Sequence, residues 1–227
     1  SALAHDVNNA LTVVQMALDA IRETAPPGTW RADLDVALSA ARSAGQAVRQ
    51  LLAFHRREAT DIGTPRADVD REVRALHPLL SRLAHPAAIE LSTGAPGAVA
   101  MLAPLDLERI LVNLVVNAAA ADPSSSAIHV QTRRENPGTE QRREPGTVLA
   151  PGRYVVVDVT DQGKGIAPEH LPRVFEPYFT TKGDVGTGLG LASVRALARA
   201  AGGDVALDST PGRGTRVSVY LPALNGA

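Results

Sequence analysis

The strongest constraint on the fold is a change in the spacing of apolar residues near position 60. Before it, two series of apolar or small residues recur every three or four positions: Leu3, Val7, Leu11, Val14, Leu18 and Ile21, then Leu34, Leu38, Ala41, Gly45, Val48 and Leu52. This spacing predicts two amphipathic helices, and the Ala-Pro-Pro-Gly stretch at residues 25–28 ends the first. We therefore predict an αα-hairpin over residues 1–59, whose remaining apolar surface favours pairing of two copies into a four-helix bundle.

A linker at residues 60–66 separates this hairpin from a region of mixed periodicity. The predicted helices are residues 69–83, 105–121 and 189–201, and the predicted strands are residues 88–92, 99–102, 128–133, 154–160, 204–209 and 215–221. Residues 135–151, rich in Gly, Pro and charge, predict a long mobile hairpin loop. Residues 67–227 thus form a second domain, a sheet with helices on one face, and the whole chain is predicted to be α+β.

The amino-acid composition excludes several kinds of site and partner. The chain carries 23 Lys and Arg against 24 Asp and Glu, a balance that argues against nucleic acid as a main partner. It has no cysteine, which excludes thiolate nucleophiles, disulfides and cysteine-based zinc sites. Its apolar runs fall short of the ~18 residues that a membrane-spanning helix needs, so we expect no membrane contact by this segment.

A histidine lies on the polar stripe of the first predicted helix. Neutral imidazole is abundant near its ordinary pKa of ~6.5, so His5 is a candidate nucleophile. Asp6 can accept the proton of the other ring nitrogen, and Asn9, one turn further on the same face, can position a phosphoryl oxygen or a water. The alternative is a solvated surface histidine.

Two asparagines, Asn113 and Asn117, project from one face of an otherwise apolar helix. Buried amides need partners, and a Mg²⁺-triphosphate would supply them because an amide oxygen is a hard ligand suited to Mg²⁺. The alternative is that one asparagine caps or crosslinks the structure.

Two Gly-rich segments follow. Asp161 ends a predicted strand and precedes Gly163 and Gly165; its carboxylate can accept a hydrogen bond from an exocyclic amine such as that of adenine, and the glycines let the backbone approach a ligand. A simple strand-end turn is the alternative. The second segment opens a helix, where free N–H groups suit phosphate, and contains Gly186, Thr187, Gly188, Leu189 and Gly190. It lacks the Gly-Lys-Ser/Thr ending of a Walker A motif, and a flexible linker is its alternative.

Between the two glycine segments lie three of the chain's few aromatic residues, Phe175, Tyr178 and Phe179. Aromatic side chains beside a Gly-rich loop can anchor a movable lid, and Lys182 can reach a phosphate. A local hydrophobic cluster is expected here in either case.

In this order, the five blocks resemble those of a bacterial two-component sensor histidine kinase over nearly the whole chain. Residues 5–9 resemble the phosphoacceptor box, 113–117 the N box, 161–166 the G1 box, 175–182 the F box and 186–191 the G2 box. The resemblance implies a dimerisation and histidine-phosphotransfer hairpin, followed by a Bergerat-type (GHKL) α/β-sandwich domain that binds ATP. It also implies a cytoplasmic bacterial location for this segment, with any membrane anchor elsewhere in the full-length protein.

The resemblance also implies residue roles. Asp161 would read the adenine amine, Thr215 would lie near the adenine, and Asn117 would bind Mg²⁺. His5 would attack the γ-phosphate of ATP, and an aspartate of a response-regulator receiver domain would then take the phosphoryl group. Asn9 falls where the family places the residue that assists dephosphorylation of the regulator.

One position separates the branches of this superfamily. The ATP-hydrolysing relatives place a catalytic Glu where this chain has Asn113, and a kinase whose nucleophile is a histidine has no need of a base that activates water. The four alanines after Asn117 depart from the family pattern, in which charged residues are frequent there. They are the main support for the alternative of a non-catalytic, dimeric nucleotide-binding module, a pseudokinase. A role mainly as a phosphatase toward the regulator is a third possibility.

Overall fold

The computed structural model describes residues 66–122, 126–143, 145–181 and 188–224. The helical hairpin predicted for residues 1–59 lies outside these ranges. The chain divides into two compact units, and nearly all of the described residues belong to the unit formed by Gly63–Phe179 and Gly188–Ala227. In the described part of the chain, no helix combines the length and hydropathy needed to cross a bilayer.

The helices and strands follow the predicted order closely. In chain order they are β1 (Ala67–Asp68), α1 (Val69–Ala84), β2 (Ile89–Gly94), β3 (Val99–Ala100), α2 (Pro104–Ala121), β4 (Ile128–Glu135), β5 (Gln141–Arg143), β6 (Thr147–Leu149), β7 (Tyr154–Asp161), a 3₁₀ helix (Pro168–Arg173), α3 (Gly190–Ala200), β8 (Asp204–Thr210) and β9 (Gly214–Pro222). The three α-helices and the six longer predicted segments of strand are confirmed to within two residues at almost every end.

A five-stranded sheet with the order β2-β4-β7-β9-β8 forms the body of the domain. Strands β2 and β4 are parallel, and the other neighbours are antiparallel. Alternate residues of the central strand, Val155, Val157 and Val159, join the buried side chains of the three helices in one large cluster. Because side chains alternate across a strand, one face of the sheet carries the helices, as predicted. The α+β fold class is therefore confirmed.

The opposite face of the sheet has a smaller apolar cluster of its own: Leu149, Tyr154, Val156, Ala206 and Tyr220. Residues 135–151 were predicted to be a long mobile hairpin loop without strands of its own, and this is wrong, because the connection contains the β5–β6 ladder. Its side chains Thr147 and Leu149 are fully buried, and the Thr147 hydroxyl donates to the Val205 carbonyl. The connection is a folded hairpin because the second face of the sheet gives its apolar side chains somewhere to pack.

Two aspartates stabilise the first helix, one by capping it and the other by connecting it to the sheet. Asp68 caps α1 by accepting a hydrogen bond from the Arg71 amide at 3.1 Å. Asp70, almost fully buried, accepts from the Thr132 hydroxyl on β4 and from the Ala95 amide at 3.2 Å. Since a buried carboxylate is costly without such partners, these bonds fix where α1 sits on the sheet.

Candidate functional site

The end of strand β7 presents the first predicted site residue. Asp161 is the last residue of the strand and lies directly opposite Thr215 on β9. Both side chains are buried, and the Asp161 Oδ1 accepts a hydrogen bond from the Gly163 amide at 2.8 Å. Antiparallel register thus brings together two predicted residues that are far apart in the sequence.

A serine that the sequence analysis missed completes this end of the site. The Ser209 hydroxyl lies 2.9 Å from the Thr215 hydroxyl, donates to the Gly214 carbonyl at 3.0 Å and accepts from the Ile166 amide at 2.8 Å. It therefore holds the turn after Asp161 against Thr215. The only sequence signal was its place just before the Pro-Gly turn that joins the last two strands.

The glycines after Asp161 allow the backbone to pass between two other segments. A Cβ on Gly163 would lie 2.5 Å from the Ala121 carbonyl oxygen at the end of α2, and that oxygen accepts from the Lys164 amide at 3.1 Å. Gly165 has a φ of +66°, and a Cβ there would lie 2.2 Å from the Thr210 carbonyl oxygen. A side chain at either position would push the turn away from α2 or from β8.

The two predicted asparagines face the start of α3. A Cβ on Gly190, the first residue of α3, would lie 3.1 Å from the Asn117 Nδ2 and 3.8 Å from the Asn113 Oδ1. Asn113 is only 8% exposed, yet within the described ranges its side-chain amide makes no hydrogen bond. An unpaired buried amide is costly, and this one lies beside the loop-to-helix junction where a polar ligand would be expected.

The aromatic block packs against the other end of that junction. Phe175 is buried in the large core. The Arg173 guanidinium lies over the ring of Phe179, with its Cζ 4.5 Å from the ring centroid. Tyr178 is 77% exposed and has a φ of +67°, and its amide donates to the Gly188 carbonyl at 3.0 Å. The predicted anchoring role fits Phe175 and Phe179, whereas the Tyr178 ring faces solvent.

Two acidic groups outside this site are held by arginines. Burial by itself raises the pKa of Asp204, but hydrogen bonds from Arg195 and Arg199 outweigh it and hold that pKa below its usual value. The pKa of Glu135 is lowered in the same way, because bonds from Arg133 and Arg143 outweigh its burial. Both carboxylates therefore stay ionised to a lower pH than an ordinary carboxyl does.

Of the predicted site residues, Asn113, Asn117, Asp161, Gly163, Gly165, Gly188, Leu189, Gly190 and Thr215 lie in the described ranges. The structure joins Asp161 with Thr215 at the sheet end, and Asn113 with Asn117 beside Gly190. His5, Asp6, Asn9, Lys182, Gly186 and Thr187 lie outside the described residues.

The predicted nucleotide-site residues in the described ranges thus lie along α2, at the end of β7 and its glycine turn, on β9, and at the start of α3, within an α/β sandwich. The chain belongs to the family of histidine kinase-, DNA gyrase B-, and HSP90-like ATPases, whose family model matches residues 103–225. A second model, the His Kinase A (phospho-acceptor) domain, matches residues 1–60. Together the two domains make the chain a two-component histidine kinase catalytic core.

Named relatives are similar over nearly the whole chain. The sensor kinase CckA of Brucella abortus (strain 2308) is 36% identical over 98% of this chain and 24% of that protein. The sensor histidine kinase ZraS of Escherichia coli O157:H7 is 30% identical over 97% of this chain and 44% of that protein. The chain thus spans less than half the length of either relative.

Two solved structures resemble the model. The crystal structure of full-length ShkA in complex with AMPPNP has a TM-score of 0.59 and 25% identity, covering 100% of this chain and 46% of that one. The mycobacterial sensor histidine kinase MprB has a TM-score of 0.54 at 23% identity over 70% of this chain and 97% of that chain, a likeness of fold alone.

Proposed function

We propose that the chain autophosphorylates on His5 with ATP and then passes the phosphoryl group to an aspartate of a response-regulator receiver domain. Residues 1–59 would form the dimerisation and phosphotransfer hairpin, residues 60–66 the linker, and residues 67–227 the ATP-binding domain. Support comes from the phospho-acceptor family model, which matches residues 1–60 and so includes His5. The ATPase model matches residues 103–225 and so includes every nucleotide-site residue.

The observation that carries the nucleotide site is the buried side-chain amide of Asn113 beside Gly190, which has no hydrogen-bond partner among the described residues. A ligand with polar oxygens at this junction would satisfy that amide, and a triphosphate has them. We assign adenine recognition to Asp161, with Thr215 beside it, because a buried carboxylate can accept a hydrogen bond from an exocyclic amine. Lys182, Gly186, Thr187, Gly188, Leu189 and Gly190 are assigned to the phosphates by their composition and their place before α3.

Asn117 is the residue we assign to Mg²⁺. Its side chain is partly buried and lies one helical turn beyond Asn113 on α2, next to the first residue of α3. Mg²⁺ prefers oxygen ligands and is usually held by one or two protein groups together with substrate phosphates. When bound, the ion would neutralise negative charge on the phosphates. Asn117→Ala should therefore weaken Mg²⁺-dependent nucleotide binding more than binding in the presence of EDTA.

At the nucleophile, the roles follow from the sequence. The His5 imidazole would form a bond to the γ-phosphorus while the bond to the β–γ bridging oxygen breaks and ADP leaves. Asp6 would accept the proton of the other ring nitrogen and so keep the attacking nitrogen unprotonated. Asn9 would position a water for dephosphorylation of the regulator, so the same hairpin would support phosphatase activity. The chain would act as a homodimer through this hairpin.

Transfer of label from γ-labelled ATP tests the proposal. The chain should acquire a label that is labile in acid and stable in base, and His5→Gln should abolish it. His77→Gln, which alters a histidine in the middle of α1, is the matched control and should keep the label. If the label survives in His5→Gln, the assignment of the nucleophile is wrong. Asn9→Ala should keep autophosphorylation and slow dephosphorylation of the regulator.

The comparisons contain no support for the alternative of a non-catalytic nucleotide-binding module. The alanine run that suggested it has a structural role of its own. Ala118 is buried in the core, and the Ala121 carbonyl oxygen lies so close to the turn after Asp161 that it accepts the Lys164 amide. The turn after Asp161 thus packs on the backbone at the end of α2.

A further inference from the structure

Arg195, in the middle of α3, lies where three parts of the ATP-binding domain meet. Its Nε donates to the Asp204 carboxylate on β8 at 2.9 Å, and its Nη2 donates to the Gly146 carbonyl at the β5–β6 turn at 3.0 Å. Its guanidinium lies over the Phe175 ring, 4.7 Å from the centroid. The side chain is only 17% exposed, so these contacts are made in a largely desolvated place, where a cation–π contact is strongest.

Phe175 connects this arginine to the nucleotide site. It begins the aromatic stretch whose Tyr178 amide donates to the Gly188 carbonyl. Gly188 has a φ of +64°, and a Cβ there would lie 2.3 Å from the Tyr178 carbonyl carbon. The backbone at Tyr178 is therefore packed directly on the residue that leads into α3. Two residues later, a Cβ on Gly190 would lie 3.1 Å from the Asn117 Nδ2.

Arg195 thus contacts both elements that meet at the start of α3, namely α3 and the aromatic stretch. It is itself part of α3, and its guanidinium presses on the aromatic stretch that packs against the start of α3. A neighbouring arginine shares the ionic partner of Arg195 but not its other contacts. Arg199 also binds Asp204, at 3.0 Å from its Nη2, but its side chain is 55% exposed, and the described contacts place it over no aromatic ring.

We propose that Arg195 is a positioning residue for the nucleotide: by clamping Phe175 to α3, it fixes the start of α3 beside Asn113 and Asn117. This inference rests on the proposed nucleotide site. It assigns to Arg195 an effect on nucleotide affinity that Arg199, with the same ionic partner, does not have. The planar guanidinium is required, because only its fork can bind a carboxylate and a carbonyl while its face lies on a ring.

The test measures binding of Mg²⁺-AMPPNP to the full 227-residue chain by titration calorimetry. Arg195→Ala should raise the Kd about 5-fold, the factor expected for a lost cation–π contact of ordinary strength. Arg199→Ala is the matched control and should leave the Kd unchanged. Arg195→Lys keeps the positive charge beside Asp204, so its thermal unfolding midpoint should be close to that of the wild type, while its Kd stays as high as that of Arg195→Ala. Amide exchange at Tyr178 should quicken in both Arg195 variants.

A Kd that is unchanged in Arg195→Ala, or equally raised in Arg199→Ala, overturns the inference. Should Arg195→Ala fail to fold, Arg195→Lys decides, and a wild-type Kd in that variant overturns it. A double variant gives a second test, because in a Phe175→Leu background Arg195→Ala should have no further effect on the Kd. If the wild-type chain itself does not bind the nucleotide, the proposed site is wrong and this inference falls with it. If the wild type binds and only the predicted difference is missing, this inference alone is wrong.

Discussion

Replacing Asn113 by leucine should make the ligand-free ATP-binding domain more stable. Asn113 is 8% exposed, and among the described residues its side-chain amide makes no hydrogen bond. Leaving such a group unsatisfied costs about 1–3 kcal/mol. Leucine has the same number of side-chain heavy atoms, branched in the same way, and no polar group to desolvate, so Asn113→Leu should add about 1–2 kcal/mol to the free energy of unfolding. For a chain of this size that corresponds to a rise of about 2–8 °C in the unfolding midpoint.

Scanning calorimetry, with and without Mg²⁺-AMPPNP, measures both halves of this prediction. The wild type should gain about 2.7 kcal/mol at a ligand concentration 100 times the Kd, whereas Asn113→Leu should gain almost nothing. Calorimetry is preferable to tryptophan fluorescence, because the single tryptophan, Trp30, lies in the predicted hairpin.

A matched control is Thr132→Val, which removes a buried polar group that does have partners. The Thr132 hydroxyl donates to Asp70 and accepts from the Gly94 amide at 3.1 Å. This variant should lose about 1–3 kcal/mol and keep the response to nucleotide. If Asn113→Leu is destabilised as much as Thr132→Val, the Asn113 amide has a structural role and the reasoning is refuted. Full retention of the nucleotide response in Asn113→Leu would refute it equally.

Three further predictions concern residues that stabilise the domain around the site. Gly165→Ala should lower the free energy of unfolding by more than about 2 kcal/mol in chemical denaturation, because the φ of +66° and a Cβ 2.2 Å from the Thr210 oxygen force the turn to move. The control is Gly138→Ala, where a Cβ would meet nothing within 4 Å, and it should change the free energy of unfolding by under about 0.5 kcal/mol. The pKa of Asp204 is lowered in the folded state. The ionised carboxylate therefore stabilises the fold above its unfolded pKa of ~3.9, and this stabilisation is lost as the pH falls through its folded pKa. Between pH 5 and pH 2, the urea midpoint of unfolding should therefore drop more steeply in the wild type than in Asp204→Asn. Thr147→Val should cost about 1 kcal/mol by removing the bond to β8 and should speed amide exchange in β6, with the nucleotide Kd unchanged.

Local patterns were sufficient to predict most of the sheet and its helices. The continuous apolar run of β7 and the apolar–polar alternation of β4 each lie within a single strand, and the apolar stripe of α2 lies within a single helix. Each pattern can therefore be recognised from a short stretch of sequence. The predicted glycines were also informative, because close backbone approach leaves a direct mark on the sequence. Which backbone they approach was not predictable: the partners, the carbonyls of Ala121 and Thr210, are atoms that every residue has.

Tertiary contacts explain what was missed. Ser209 contributes through the register of β8 on β9, which places it opposite Thr215, and no local pattern encodes that register. The β5–β6 hairpin was missed because its strands are short and one of them is highly polar. Its order comes from the second face of the sheet, where Tyr154 and Tyr220 pack edge to face with ring centroids 6.2 Å apart.

The position of this hairpin bears on how the domain can change in evolution. Strands β4 and β7 already pair with each other at Glu135 and Tyr154, so the segment between them bridges no gap, and doubling its length would cost only about 0.6 kcal/mol in closure entropy. The hairpin also leaves the sheet at the first residue of β7, whereas Asp161 is the eighth and last, roughly 23 Å away at the rise of an extended strand. Insertions here, whether inherited or engineered as a reporter or docking tag, can therefore diversify the protein while the residues assigned to the nucleotide keep their places.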